Sequence, residues 1–379
     1  MPMNRRWQRI WIAAIIAGMI HQGGALLQLR ADWPLPRGDA ASRGAADGTM
    51  PQSPELLWKY EVPKGAFEST PIVVEGKVYI GDMDGNFFAL DLQDGKELWK
   101  RKSEGGFLAG AAFDQGLLVV GDYDGKVQAL DPKTGDLRWE FTTGAQIDAG
   151  ANFFQSLVLV TSEDGVLYAL DRQNGQLVWK YETGDQLRCG PTLVGSQTLL
   201  GGCDGQLHVV DLTTGKAAEG KWPLGGPTGS TPAAIDGMVV VPTHSGPILA
   251  FRPPEAEPKW NFNDPERSPE VRSSPAVHGG SAYITTRNRR LLALSLADGQ
   301  LQWESVLRKR SDSSPVYCDG RVWLGATDGS LYAIDAKNGE VTWQKELPGS
   351  FLGSPAIDSG KLVIANDQGV VFCFGAPSR

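Results

Sequence analysis

Histidine is scarce in this 379-residue chain: His21, His208, His244 and His278 are all there is, and none stands at a metal-ligand spacing from another. The four cysteines, Cys189, Cys203, Cys318 and Cys373, are isolated, with no adjacent pair. No G-x-S-x-G, H-E-x-x-H or Walker-type loop occurs. These absences remove the common hydrolase, metalloprotease and nucleotide-binding readings. Charged residues are only 21%, too few for a disordered acidic polymer. Basic residues are in deficit as well. The net charge of -8 becomes -12 once the four arginines of residues 1–30 are set aside. An acidic body repels phosphate backbones, which excludes nucleic acid as the main partner.

A long hydrophobic run is missing too. Arg5, Arg6 and Arg9 precede a short apolar stretch, Ile10–Ile20, that ends at His21-Gln22-Gly23-Gly24. A basic lead and a short apolar core describe an export signal better than a spanning helix of about 20 residues. Residues 1–31 are therefore read as an export signal or N-terminal anchor. It directs the chain to the periplasm or holds it at a membrane facing that compartment. Residues 32–53, rich in Pro, Gly, Ala and Asp and without apolar period, read as a flexible linker.

What the sequence has is a repeat. From residue 54 to 379 it returns to itself at close to 40 residues. Tryptophans recur at Trp58, Trp99, Trp139, Trp179, Trp222, Trp260, Trp303 and Trp343. Turn dipeptides such as Asp84-Gly85, Asp124-Gly125, Asp164-Gly165, Asp204-Gly205 and Asp328-Gly329 keep step with them. Each unit holds four short β-patterned runs, and no helical period appears. This predicts an all-β fold: an eight-bladed β-propeller with four-stranded antiparallel blades. The final unit stops after three strands. The segment around Trp58, which has no blade of its own, is expected to supply the fourth and close the ring.

The link between third and fourth strands reads A-x-D-x-x-x-G-x-x-x-W, intact at Ala89/Asp91/Gly95/Trp99, Ala129/Asp131/Gly135/Trp139, Ala169/Asp171/Gly175/Trp179 and Ala333/Asp335/Gly339/Trp343. It resembles the tryptophan-docking motif of the pyrroloquinoline-quinone (PQQ) repeat family, over about 320 residues. The tryptophans are then structural docking residues, one for each interface between blades. The resemblance implies one of two activities. Quinoprotein dehydrogenases of the family are longer and carry adjacent cysteines against the quinone and a calcium held by Glu and Asn. The non-catalytic branch, typified by the outer-membrane assembly factor BamB, is a bare propeller. Isolated cysteines and short loops place this chain with the second. The expectation is a non-enzymatic, exported, monomeric scaffold for envelope proteins or peptides, with no cofactor, metal or catalytic residue. The alternative is a PQQ-dependent oxidoreductase or a quinone or small-ligand sensor.

Local readings complete the expectation. Asp82-x-Asp84-Gly85 and Asp122-x-Asp124-Gly125 open like calcium loops but lack the closing Glu, and read as hairpin turns. Cys189 and Cys203 fall on facing strands, either as a disulfide or as two packed thiols. Phe251–Pro269 is proline-rich and reads as an exposed loop. Aligning the inner strands places Glu68, Asp148, Arg188, Arg272 and Asp312 in one ring at a pore mouth, the arginines facing Asp148 and Asp312. An apolar ring that includes Phe67, Phe107 and Phe351 precedes it by one residue. Such a mouth grips a peptide or polar ligand, or its charges pair among themselves.

Overall fold

Short runs of Val, Ile, Leu, Tyr and Phe, cut every five or six residues by Gly-containing turns, leave the chain only antiparallel meanders to form. The computed structural model describes residues 32–377 apart from 219, 221, 265, 266, 268 and 269. The expected export signal lies outside the described residues. Eight sheets result. Blade 1 is Ile72–Val74, Lys77–Gly81, Asn86–Asp91 and Glu97–Lys102. Blades 2 to 7 repeat that order, their inner strands beginning at Ala112, Asn152, Thr192, Ala233, Ala276 and Val316. Blade 8 has Ala356–Asp358, Lys361–Ala365 and Val370–Gly375, and takes Glu55–Glu61 as its outer strand. There Trp58 lies opposite Cys373. The expected eight-bladed architecture and its closure are what forms.

Blade contact follows one geometry. Trp58, Trp99, Trp139, Trp260 and Trp303 each donate Nε1–H to a carbonyl of the next blade, at Leu92, Pro132, Arg172, Leu296 and Ala336, over 2.8–3.2 Å. The indole covers the glycine of the same turn so closely that a Cβ on Gly135 would lie 2.7 Å from Trp99. Trp179 covers Gly215 in the same way. The motif aspartates fold the turn: Asp91 Oδ1 accepts the amides of Gln93 and Asp94. Two sites depart. Trp343 packs against Trp323 and Phe374. Trp222 is buried against Phe251, and its Nε1 has no hydrogen-bond partner among the described residues.

One local expectation changes. Phe251–Pro269 is not simply an exposed loop. Glu255–Phe262 forms an eight-residue outer strand, and Phe251 is buried. Pro253 and Pro254 occupy the turn, and Pro258 falls where the register shifts on the sheet edge, so no ladder amide is lost. Of the two readings of Cys189 and Cys203, packed thiols are what forms, and all four cysteines are free.

Residues 32–53 differ most from expectation. Their composition suggests a tether, yet they form a packed strap inside the ring. Trp33, Leu35 and Met50 are buried. The strap circles the axis in blade order. The amides of Val73, Phe113, Leu193, Ala234, Val277 and Tyr317 donate to its carbonyls at Trp33, Pro34, Ala40, Ala41, Arg43 and Gly44. These six residues hold one equivalent position on six inner strands. In blade 3 the Asn152 side chain replaces the amide and donates to Ala40 O. Ala45–Ala46 then pairs in parallel with Val316–Cys318. Arg321 ends the circuit by donating to the carbonyls of Met50, Pro51 and Gln52. Inner-strand amides facing a channel must find acceptors, and here the chain supplies them itself.

Candidate functional site

The strap satisfies the inner strands along the channel, so attention moves to the mouth where the inner strands begin. Two loops per blade build it. The first enters the inner strand. The second is the turn between strands two and three. They are tied by one repeated bond: the amides of Met83, Tyr123, Glu163, Cys203, His244, Arg287, Thr327 and Asp367 donate to Ala66, Gly106, Gln146, Gln186, Pro227, Glu270, Arg310 and Ser350. In blades 1 and 2 buried acids hold these turns. Asp122 Oδ1 accepts the amides of Asp124 and Lys126, and Asp82 Oδ1 that of Asn86. Both suspected calcium loops are thus hairpin turns whose carboxylates are occupied by the backbone.

Glu68, Asp148, Arg188, Arg272 and Asp312 all reach the mouth surface, but the pairing is not the one expected. Arg188 pairs with Glu163 at 2.6 Å and donates to Gln186. Arg272 pairs with Glu270 at 3.1 Å. Asp312 is held by Arg287 at 3.1 Å and Arg310 at 3.5 Å. Arg287 also bridges to Glu270 at 3.0 Å. Asp148 accepts from Gln146 and hydrogen-bonds Glu163. Burial first, and that bond second, push the Glu163 carboxyl above the usual range. Glu68 makes no ion pair among the described residues.

Sequence reasoning therefore missed a second ring: Glu163, His244, Glu270, Arg287 and Arg310. Glu163, His244 and Arg287 each stand just before the turn dipeptide between strands two and three, which was their only signal, while Glu270 and Arg310 lie on the entry loops two residues before Arg272 and Asp312. His244 shows how that ring is conditioned. Gly229 donates its amide to Nε2 at 3.2 Å. Burial, assisted by Arg272, lowers the imidazole below its ordinary value. A neutral ring with an acceptor Nε2 results.

The apolar ring is not at the mouth. Phe67, Phe107, Ile147, Leu187, Val271 and Phe351 are all buried. Backbone alternation turns them down between blades: a Cβ on Gly81 would lie 2.5 Å from Phe107. The open face is polar, with arginines standing out. The Arg188, Arg272 and Arg310 side chains are 45%, 53% and 49% exposed, while Glu163 and Asp312 beneath them are 10% and 19%. The site can offer guanidinium N–H groups to carboxylates or peptide carbonyls.

Comparison with known proteins agrees with the geometry. A BamB from Moraxella catarrhalis superposes with a TM-score of 0.74 at 19% identity, over 86% of this chain and 98% of that one. The quinohemoprotein alcohol dehydrogenase of Comamonas testosteroni gives 0.78 at 15% identity, over 92% of this chain and 81% of that one. At such identities the likeness shows the fold. A curated BamB from Yersinia pestis is 34% identical over 77 residues, and the match spans 20% of each protein. The family model for outer membrane protein assembly factor BamB matches residues 50–143, 88–221 and 163–378. With those stretches together spanning nearly all the propeller, the chain belongs to the BamB family.

Proposed function

We propose that this chain is a non-enzymatic propeller, working in the periplasmic part of the cell envelope, that holds a partner protein or peptide on its open mouth. The observation that carries this reading is the outward arginine sector of Arg188, Arg272 and Arg310, the first and last steadied by more buried acids and Arg272 by the comparably exposed Glu270. Carboxylates below set the arginines' positions, and the guanidinium edges remain to meet a partner's acidic or carbonyl groups. Family membership supports the reading, because the matched family is named for an assembly factor.

The quinone-dependent alternative is supported only by shared fold. The mouth residues do not fit a quinone held with a metal. Glu163, Glu270 and Asp312 are each engaged by an arginine. Among the described residues no group of three His, Cys, Asp or Glu is placed to hold an ion. Cys189 is wholly buried, and burial pushes its thiol up to about 12.

Photocrosslinking residues introduced at 188, 272 and 310 provide the test in intact cells. Discrete protein adducts are expected there and not from the outer-edge positions 98 and 178. Adducts equally frequent at both sets, or dye reduction by the purified protein supplied with PQQ, calcium and an alcohol, would sink the proposal.

A further inference from the structure

The strap itself carries a buried cation with no counter-ion among the described residues. Arg37 is 7% exposed. Its Nη2 donates across the channel to Pro275 O at 3.0 Å and Pro315 O at 2.8 Å. Its Nε and Nη1 have no hydrogen-bond partner among the described residues, although both are buried. No acid pairs with it among the described residues. Asp39, which acts on it through space, is taken by the Arg43 side chain and by the Arg43 amide at 3.2 Å. Burial lowers the pKa of Arg37 to about 10, so the side chain stays charged at neutral pH. A buried charge with unmade hydrogen bonds is costly, and such groups are matched by a partner or a bound ion.

A cavity of about 30 Å³ adjoins it, lined by Arg37, Leu35, Pro36, Asp39, Ser42, Asn152 and Thr231, and the Asp39 carboxylate is paired with Arg43. The Thr231 hydroxyl accepts the Gly190 amide at 2.9 Å, leaving its own proton to donate. Asn152 has both amide hydrogens occupied, by Ala40 O and Pro191 O. Leu35 and Pro36 make the rest apolar. One particle of halide size, or two waters, fills such a space.

We propose that this cavity is a binding site for a small inorganic monoanion, a halide, held by Arg37 Nε and Nη1 and the Thr231 hydroxyl. Strap residues Leu35, Pro36, Arg37 and Ser42 form much of its wall, so ion uptake and strap docking are one linked event. The inference stands apart from the mouth and its partner.

Crystals of the folded protein grown in bromide test it through anomalous scattering. A bromide peak within hydrogen-bonding distance of Arg37 Nε or Nη1 is expected; waters alone there overturn the proposal. Melting in bromide or chloride, against gluconate at equal ionic strength, gives the second readout. The wild type is expected to melt higher in halide. Arg37→Met is expected to lose that difference, whatever its own Tm. If Arg37→Met does not fold, Thr231→Val is expected to show a smaller halide response. Equal melting in both salts, or an undiminished response in the variant that folds, refutes the site.

Discussion

At the level of single residues, a blade contact depends on what is absent from a turn as much as on the indole that covers it. Gly135 has φ +77° and Trp99 where its Cβ would lie. Gly135→Ala therefore combines backbone strain with displacement of an indole, and about 2–4 kcal/mol of stability is expected to go. Urea unfolding with an unchanged m-value reads that loss. The tryptophans are not equivalent. Trp260→Phe forfeits a bond to Leu296 O, whereas Trp222→Phe has none to forfeit. The first substitution is expected to cost about 1 kcal/mol more than the second in the same assay. The repeated motif makes these positions visible in the sequence because it recurs. His244 was not visible, for nothing in its neighbourhood repeats a titratable group. Its folded pKa is depressed, so its contribution is present above about 6.5 and is lost as pH falls through the folded value. NMR titration is expected to place its midpoint below that of an unfolded peptide, and His244→Gln is expected to flatten the pH dependence of stability below 6.5.

Among the elements, those that repeat were legible and those that occur once were not. The inner strands, the Asp-Gly turns and the outer strand around Trp58 follow from alternation and spacing. The Glu255–Phe262 strand escaped because its prolines look disruptive until the register shift at the edge accommodates Pro258. The strap escaped for a different reason. Its partners are six separate inner strands, so no alternating apolar pattern is imposed on it, and its tight path selects Pro and Gly. Composition alone cannot tell such a segment from a linker. Hydrogen exchange separates the two. The amide of Trp33, bonded to Val73 O, and that of Gly44, bonded to Arg37 O, are expected to exchange as slowly as those of inner strands, while the exposed stretch from Asp47 to Thr49 exchanges and is cleaved first.

Over the whole molecule, charge and closure act together. The mouth ring could be located from the sequence because inner strands align on Pro71, Pro191, Pro232, Pro275, Pro315 and Pro355. Its pairing could not, since Glu163 and Arg287 lie on other turns and only register brings them to Arg188 and Asp312. Ring closure rests on Trp58, buried with its Nε1 bonded to Leu92 O. Trp58→Ala is expected to cost about 3–5 kcal/mol, seen as a lower Tm with no change in the mouth crosslinks.

The strap adds a consequence for how the molecule comes into being. A ribosome or an export channel delivers residues 32–61 first, yet their resting places are built by chain that follows, and Glu55–Glu61 waits for Val370–Gly375 at the far end. Early meanders condense by themselves, but the purse-string cannot be drawn until the tail has arrived. Any agent that keeps hold of the leading sixty residues therefore keeps the disc open, and letting go is the step that finishes it.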